Sequence, residues 1–123
     1  MAITITNPEH GAMAGNGFIL NAVSADASGC EELKAAPATG LSIFVDHLTV
    51  NNGATAQSIT IGEGETTNAV TTALIGPIAM AANTSIQFDF MSKGGMKLTA
   101  ATSLTVDSSS TGAICVFANG RVE

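Results

Sequence analysis

Tryptophan and tyrosine are absent from the 123 residues, and the five aromatic side chains are all phenylalanine: Phe18, Phe44, Phe88, Phe90 and Phe117. Ring stacking is a common way to hold a sugar, so this lack counts against a carbohydrate site. Charge is also scarce: 11% of residues are charged, against roughly 25% in an average soluble domain. The fixed cations are Lys34, Lys93, Lys97 and Arg121, scattered in a chain of net charge −6. They form no basic stripe and release too few counterions to hold a polyanion, which excludes direct nucleic-acid binding. No stretch approaches about 20 uninterrupted apolar residues, so no membrane span is expected. The opening Met-Ala-Ile-Thr-Ile-Thr lacks the basic and apolar regions of a secretion signal, and synthesis and folding in the cytosol are expected. Only Cys30 and Cys115 are present. In that compartment they read as reduced thiols, and Cys115, inside the apolar run from Ala113 to Ala118, reads as a buried one.

Groupings that carry chemistry are missing as well. Zinc needs Cys and His at short paired spacings, and Cys30, Cys115, His10 and His47 show none. Glu63 and Glu65, in what reads as a glycine-rich turn, fall short of the ligand run of a calcium loop and read as a solvated acidic turn. There is no phosphate loop and no Gly-x-Ser-x-Gly nucleophile elbow. Asp46 and His47 are adjacent, and adjacent side chains on a regular strand point to opposite faces. They make no base and orienting carboxylate unless the backbone turns them together, so His47 reads as a packed or interface histidine. His10, in a glycine-rich loop, reads as solvated. The expectation is a protein that is not an enzyme, with no catalytic residue, no metal and no cofactor.

What the sequence does contain is short segments of period-two alternation, the signature of strands. From Thr84 to Phe90, Ile86, Phe88 and Phe90 face one way while Gln87 and Asp89 face the other. Ile59 and Ile61, Met96 and Leu98, and Leu104 and Val106 repeat the pattern. Between Ser42 and Asn51 the apolar phase slips: Ile43 and Val45 share one phase, Leu48 and Val50 the other. A β-bulge at Asp46 and His47 restores the inward phase, and a strand covered on both faces is the alternative. Ile114 to Phe117 is apolar on both sides, as a central strand or a subunit contact would be. Turn formers intervene at Asn52-Gly53, Gly62-Glu63-Gly64, Gly94-Gly95 and Ser108 to Gly112, at the spacing of a sandwich or barrel. Pro77 cannot donate to a ladder and assigns Leu74–Met80 to an edge or to a strand restarting after Gly76-Pro77. Cys30–Ala36 and Thr67–Ala73 are the only segments able to hold a helical turn or two.

The length fits one domain. Asn7 to Gly17 carries Pro8, Gly11, Gly15 and Gly17 with hardly an apolar anchor. Residues 1–16 therefore read as an extended N-terminal arm with Ile3 and Ile5 as a short strand on a leash, and residues 17–123 as a single β-sandwich domain of about eight short antiparallel strands. Such an arm often pairs with the sheet edge of a neighbouring chain. A surface of Ser, Thr, Asn, Ala and Gly loses little hydration when covered, and interface cores are poor in charge. That composition points to a protein packed against others. Ile3, Ile5, Phe18, His47, Cys115 and Phe117 are the candidate contact residues.

The chain also resembles a group of small proteins of tailed-bacteriophage virions. The matching rhythm runs through Ala35-Ala36, Gly40-Leu41-Ser42-Ile43-Phe44-Val45, Leu48-Thr49-Val50, Ile59-Thr60-Ile61-Gly62, Leu74-Ile75-Gly76-Pro77-Ile78-Ala79-Met80, Phe88-Asp89-Phe90, Gly95-Met96-Lys97-Leu98, Ser103-Leu104-Thr105-Val106 and Gly112 to Phe117. It covers about two-thirds of the chain and is a likeness of strand rhythm, not of a diagnostic motif. The resemblance implies a jelly-roll-like sandwich, commonly trimeric, that acts as a capsid decoration or cement protein on the virion surface and clamps neighbouring major capsid proteins. It carries no catalytic residues over. The alternative expectation is a receptor- or sugar-binding head of a fibre or spike, and a small hydrolase is a third.

Overall fold

The computed structural model describes residues 4–6, 16–24 and 29–123. Ten strands follow in chain order: β1 (Thr4–Thr6), β2 (Gly17–Ser24), β3 (Glu31–Lys34), β4 (Ile43–Asn52), β5 (Gln57–Thr66), β6 (Ala69–Met80), β7 (Ser85–Asp89), β8 (Met96–Lys97), β9 (Leu104–Ser108) and β10 (Ile114–Val122). Among the described residues a single 3-10 turn, Met91–Lys93, precedes β8. The strands form two antiparallel sheets. One runs β1-β2-β10-β4-β7, with β8 also on β4, and the other runs β3-β9-β5-β6. Leaving aside β1 and β8, the orders β2-β10-β4-β7 and β3-β9-β5-β6 are those of an eight-stranded jelly roll, in which the chain crosses between sheets at nearly every connection.

Alternation decides which side chains fill the space between the sheets. Leu20 and Ala22 of β2, Ile59 and Ile61 of β5, Leu104 and Val106 of β9, and Ile114, Val116 and Ala118 of β10 are all buried. Burying a side chain of this kind stabilises the fold by roughly 1.5–3 kcal/mol. Ile86, Phe88, Phe90 and Met96 pack half-buried against the same core. Pro77 lies in β6, the edge strand of the smaller sheet, after a cis Gly76-Pro77 peptide bond.

The phase slip in β4 is a bulge. Asn119 of β10 pairs with His47 and Gly120 with Val45, which leaves Asp46 as the extra residue. Ile43, Val45, Leu48 and Val50 are consequently all buried. The bulge needs a glycine opposite it, because a Cβ on Gly120 would stand 1.9 Å from the Phe44 carbonyl oxygen.

Three local expectations are corrected. Gly62-Glu63-Gly64 is not a turn but the middle of β5. A Cβ at Gly62 would stand 2.1 Å from Val70 Cγ1 and 2.5 Å from the Thr72 carbonyl oxygen, so this glycine makes room for the returning strand. The reversal comes later, at Thr67 and Asn68, whose φ angles of 52° and 61° suit a primed hairpin turn. The two segments considered for helical turns are extended: Glu31–Lys34 is β3, and β6 begins at Ala69. Thr4–Thr6 of the arm closes the edge of its own sheet against β2, with Thr4 opposite Val23 and Ile5 opposite Ala22. Most of the leash, and Ile3 and His10 with it, lies outside the described residues.

One end of the sandwich is closed by amides. Buried Asn52 donates through Nδ2 to the carbonyls of Thr55, Met80 and Ala81, at 2.9, 3.3 and 3.0 Å. Gln57 Nε2 donates to Asn52 Oδ1 at 2.8 Å and to the Gly112 carbonyl at 3.0 Å. These bonds tie three loops together.

Candidate interaction surface

The outer face of the larger sheet is where three of the six candidate contact residues meet. Pairing places Val23, Cys115 and Asn51 side by side across β2, β10 and β4, then Asn21, Phe117 and Thr49, then Ile19, Asn119 and His47. β7 extends these rows with Ser85, Gln87 and Asp89. Phe117 is 38% exposed and Val23 44%. The first two rows hold no ionised group. Cys115 donates its thiol proton to Asn21 Oδ1 at 3.0 Å.

Charge enters only at the far end of this face, where Arg121 pairs with two carboxylates. Arg121 bonds Asp46 Oδ1 at 3.1 Å, Glu123 Oε2 at 2.9 Å and the Gly94 carbonyl at 2.9 Å. Its guanidinium lies 4.4 Å above the Phe44 ring, with Lys97 Nζ 5.8 Å from the same ring. The bulge turns Asp46 and His47 to the same side, but not toward each other. Asp46 is taken by Arg121, whereas His47 Nδ1 meets Asn119 Oδ1 at 3.1 Å and Nε2 lies 3.5 Å from Asp89. Asp46, the neighbour of His47 in sequence, is therefore not the group that orients its ring.

Phe18, another candidate, belongs to the core at 9% exposure, with Lys34 Nζ 4.8 Å above its ring. Leu20 and Ala22 share its phase on β2, whereas Ile19 and Val23 take the outward one. Ile5 is placed by its register opposite Ala22. Val23 was missed as a surface residue. The signal for it lay in Gly17–Ser24, which carries apolar residues on both phases as Ile114–Phe117 does.

The expectation that Cys115 is a buried thiol is corrected. Cys115 is half-buried on the outer face because Ile114 and Val116 occupy the inward phase, and Cys30 is the buried thiol, at 7% exposure. Burial, and then the negative charges of Glu65 and Asp107, push the Cys30 thiol up to about 11. Such a thiol stays protonated and inert near neutrality.

Glu63 is also not solvated. It continues the inward phase of Ile59 and Ile61, is 8% exposed, and accepts from the Thr99 backbone N–H at 2.7 Å and hydroxyl at 3.1 Å. It clasps a loop. The outer face of the smaller sheet carries a shallow polar depression lined by Ser58, Thr60, Asp107, Ser108 and Ser109. Among the described residues no three His, Cys, Asp or Glu side chains are grouped to hold a metal ion. No helix among them is long and apolar enough to cross a membrane.

Compared with protein-family models, with curated proteins and with solved structures, the chain matches none. The larger sheet presents a broad, weakly polar patch with a half-exposed aromatic ring near its centre and paired charges at one end.

Proposed function

We propose that this chain is a structural protein of a tailed-phage virion, a decoration protein that assembles as a trimer and clamps major capsid proteins from outside the shell. The observation that carries the reading is the outer face of the larger sheet, where Val23, Cys115, Phe117 and Thr49 form an ion-free patch on the two central strands and the strand beside them. Covering such a patch costs little desolvation of charge and removes apolar surface from water.

The jelly roll agrees with this reading without deciding it, since the architecture serves viral capsid proteins and lectins alike. A ligand that binds only the assembled lattice stabilises it by mass action, and linked copies gain further through effective concentration. The depression on the smaller sheet is a weaker support for a sugar-binding head, because its lining of Ser58, Thr60, Asp107, Ser108 and Ser109 includes no ring to stack on a sugar.

An antibody against this chain, applied to phage particles purified from cultures that produce it, tests the reading by electron microscopy. Regular labelling of the outer shell is expected. Particles that contain the chain only at the tail tip, or not at all, contradict it. Phe117→Glu, which places a charge at the centre of the patch, is expected to lower shell occupancy at least tenfold while leaving the fold intact.

A further inference from the structure

We propose that Asn16-Gly17 is a self-modifying site, at which the folded chain converts Asn16 to aspartate and isoaspartate and thereby frees the start of β2 from the end of β10. This chemistry does not depend on what the chain binds.

The sequence contains three Asn-Gly steps, Asn16-Gly17, Asn52-Gly53 and Asn119-Gly120. Asparagine before glycine is a step at which a chain can attack itself, because glycine has no Cβ to hinder its own nitrogen and takes up the required backbone angles readily. The glycine nitrogen bonds to the asparagine Cγ as it gives up its proton. The Cγ–Nδ2 bond breaks, and ammonia leaves with that proton, which closes a succinimide ring. Water then opens the ring. Cleavage at Cγ gives aspartate, and cleavage at the main-chain carbonyl gives isoaspartate, in which the backbone runs through the side chain. Water is consumed, ammonia is released, and nothing is oxidised or reduced.

The side-chain amide must swing over the following nitrogen, which a strand paired on both sides does not permit. A held asparagine therefore reacts only through local opening, whose free energy runs from near zero at fraying ends to the full stability in the core. Surroundings consequently sort three identical steps. Asn52 is buried, its Nδ2 donates to the carbonyls of Thr55, Met80 and Ala81, and its Oδ1 accepts from Gln57. The Gly53 N–H, the nucleophile there, donates to the Ala113 carbonyl at 3.0 Å. Asn119 lies within β10, opposite Ile19 of β2 on one side and His47 of β4 on the other, and its Oδ1 meets His47 Nδ1. Gly120 is buried against the Phe44 carbonyl at the bulge. Reaction at Asn52 dismantles one end of the sandwich, and reaction at Asn119 dismantles the centre of a sheet.

Asn16 stands in a different setting. It is exposed, in a turn immediately before β2. Two bonds tie it to Val122: its carbonyl accepts from the Val122 N–H at 2.9 Å, and its Nδ2 donates to the Val122 carbonyl. Because Asn16 and Val122 are hydrogen-bonded, the next pair, Gly17 and Arg121, is a non-hydrogen-bonded one, with the Gly17 N–H directed away from β10. The nucleophile is not committed to that ladder, and the bonds that must open lie at a strand end. The products cannot restore them. An ionised carboxylate accepts but does not donate, so it repels the Val122 carbonyl that the amide had bound. Isoaspartate also adds a methylene to the main chain just before Gly17. Either product loosens the joint between the start of β2 and the end of β10.

Wild-type protein aged at mildly alkaline pH, native and in urea, tests the site by peptide mass mapping with enzymatic methylation of isoaspartate as the second readout. In urea the three Asn-Gly peptides are expected to convert at similar rates. In the native protein Asn16 is expected to stay within about tenfold of its urea rate, while Asn52 and Asn119 slow by at least about a hundredfold. Native conversion of Asn52 or Asn119 as fast as that of Asn16, or conversion of Asn16 as slow as theirs, overturns the proposal. Amide exchange reads the consequence: the Val122 amide is expected to exchange at least about tenfold faster in Asn16→Asp, and in the aged wild type, than in fresh wild type. A Val122 amide that exchanges at the fresh rate in both overturns the release.

Discussion

Two bulged strands in this molecule carry the same kind of irregularity in opposite settings. In β4 the extra residue, Asp46, sits between β10 and β7, and its carboxylate is tied to Arg121, which also binds Glu123 and the Gly94 carbonyl. In β6 the extra residues lie on a sheet edge, among Leu74, Ile75, Gly76 and Pro77, and no charged residue stands nearby in sequence. A bulge inside a sheet must be matched by its partner, here by Gly120, and it fixes where neighbouring side chains point. A bulge on an edge mainly interrupts pairing and limits how another chain can join it.

The comparison breaks most sharply at Gly120. Gly120→Ala sets a methyl 1.9 Å from the Phe44 carbonyl oxygen, and is expected to cost about 3 kcal/mol or more, read as a fall in the urea midpoint. Removing the ties around the same bulge is gentler. Arg121→Ala loses two partly exposed carboxylate contacts and the contact with Phe44, an expected cost of about 1 kcal/mol in the same titration. The edge is the tolerant partner in the comparison: Thr71→Lys, on the exposed part of β6, is expected to change stability by less than about 0.5 kcal/mol. A loss of several kcal/mol there would make β6 as tightly determined as β4 and remove the contrast.

The thiols sharpen the same distinction between groups held by the interior and groups left outside. A thiol-specific reagent at neutral pH is expected to modify Cys115 in the native protein and to reach Cys30 only after denaturation. Cys30 also predicts an alkaline limit. Its folded value, about 11, exceeds the ordinary value of 9.0, so its contribution to stability is complete below pH 9 and declines as pH rises from there to about 11. Thermal melts of wild type and Cys30→Ala between pH 8 and 11 check this, because the substitution is expected to flatten that part of the profile.

Much of the fold was legible in the order of side chains. The slip between Val45 and Leu48 located the bulge, since four apolar residues reach one core only if the backbone inserts a residue between them. Pro77 placed its strand at an edge for want of an N–H. Strand order is nonlocal and is not contained in alternation, so the jelly roll came from the likeness in strand rhythm and not from periodicity. The errors have local causes. Gly62 and Gly64 resembled turn glycines because a sequence does not distinguish a glycine that bends the chain from one that admits Val70 and Thr72. Glu63 was placed in solvent although it continues the inward phase of Ile59 and Ile61, because a carboxylate is buried only when donors such as those of Thr99 arrive from elsewhere in the chain.

The candidate surface was legible in part, and for related reasons. His47, Cys115 and Phe117 come together because the bulge and the central position of β10 bring their strands side by side. Phe18 falls on the opposite phase and enters the core.

The account depends on neutral surfaces being kept for contact with neighbours, and sedimentation equilibrium of the purified wild-type chain tests that most directly. A species of about three times the 12.3 kDa chain mass, dissociating on dilution, is the predicted result. A mass of 12.3 kDa at every concentration would contradict it.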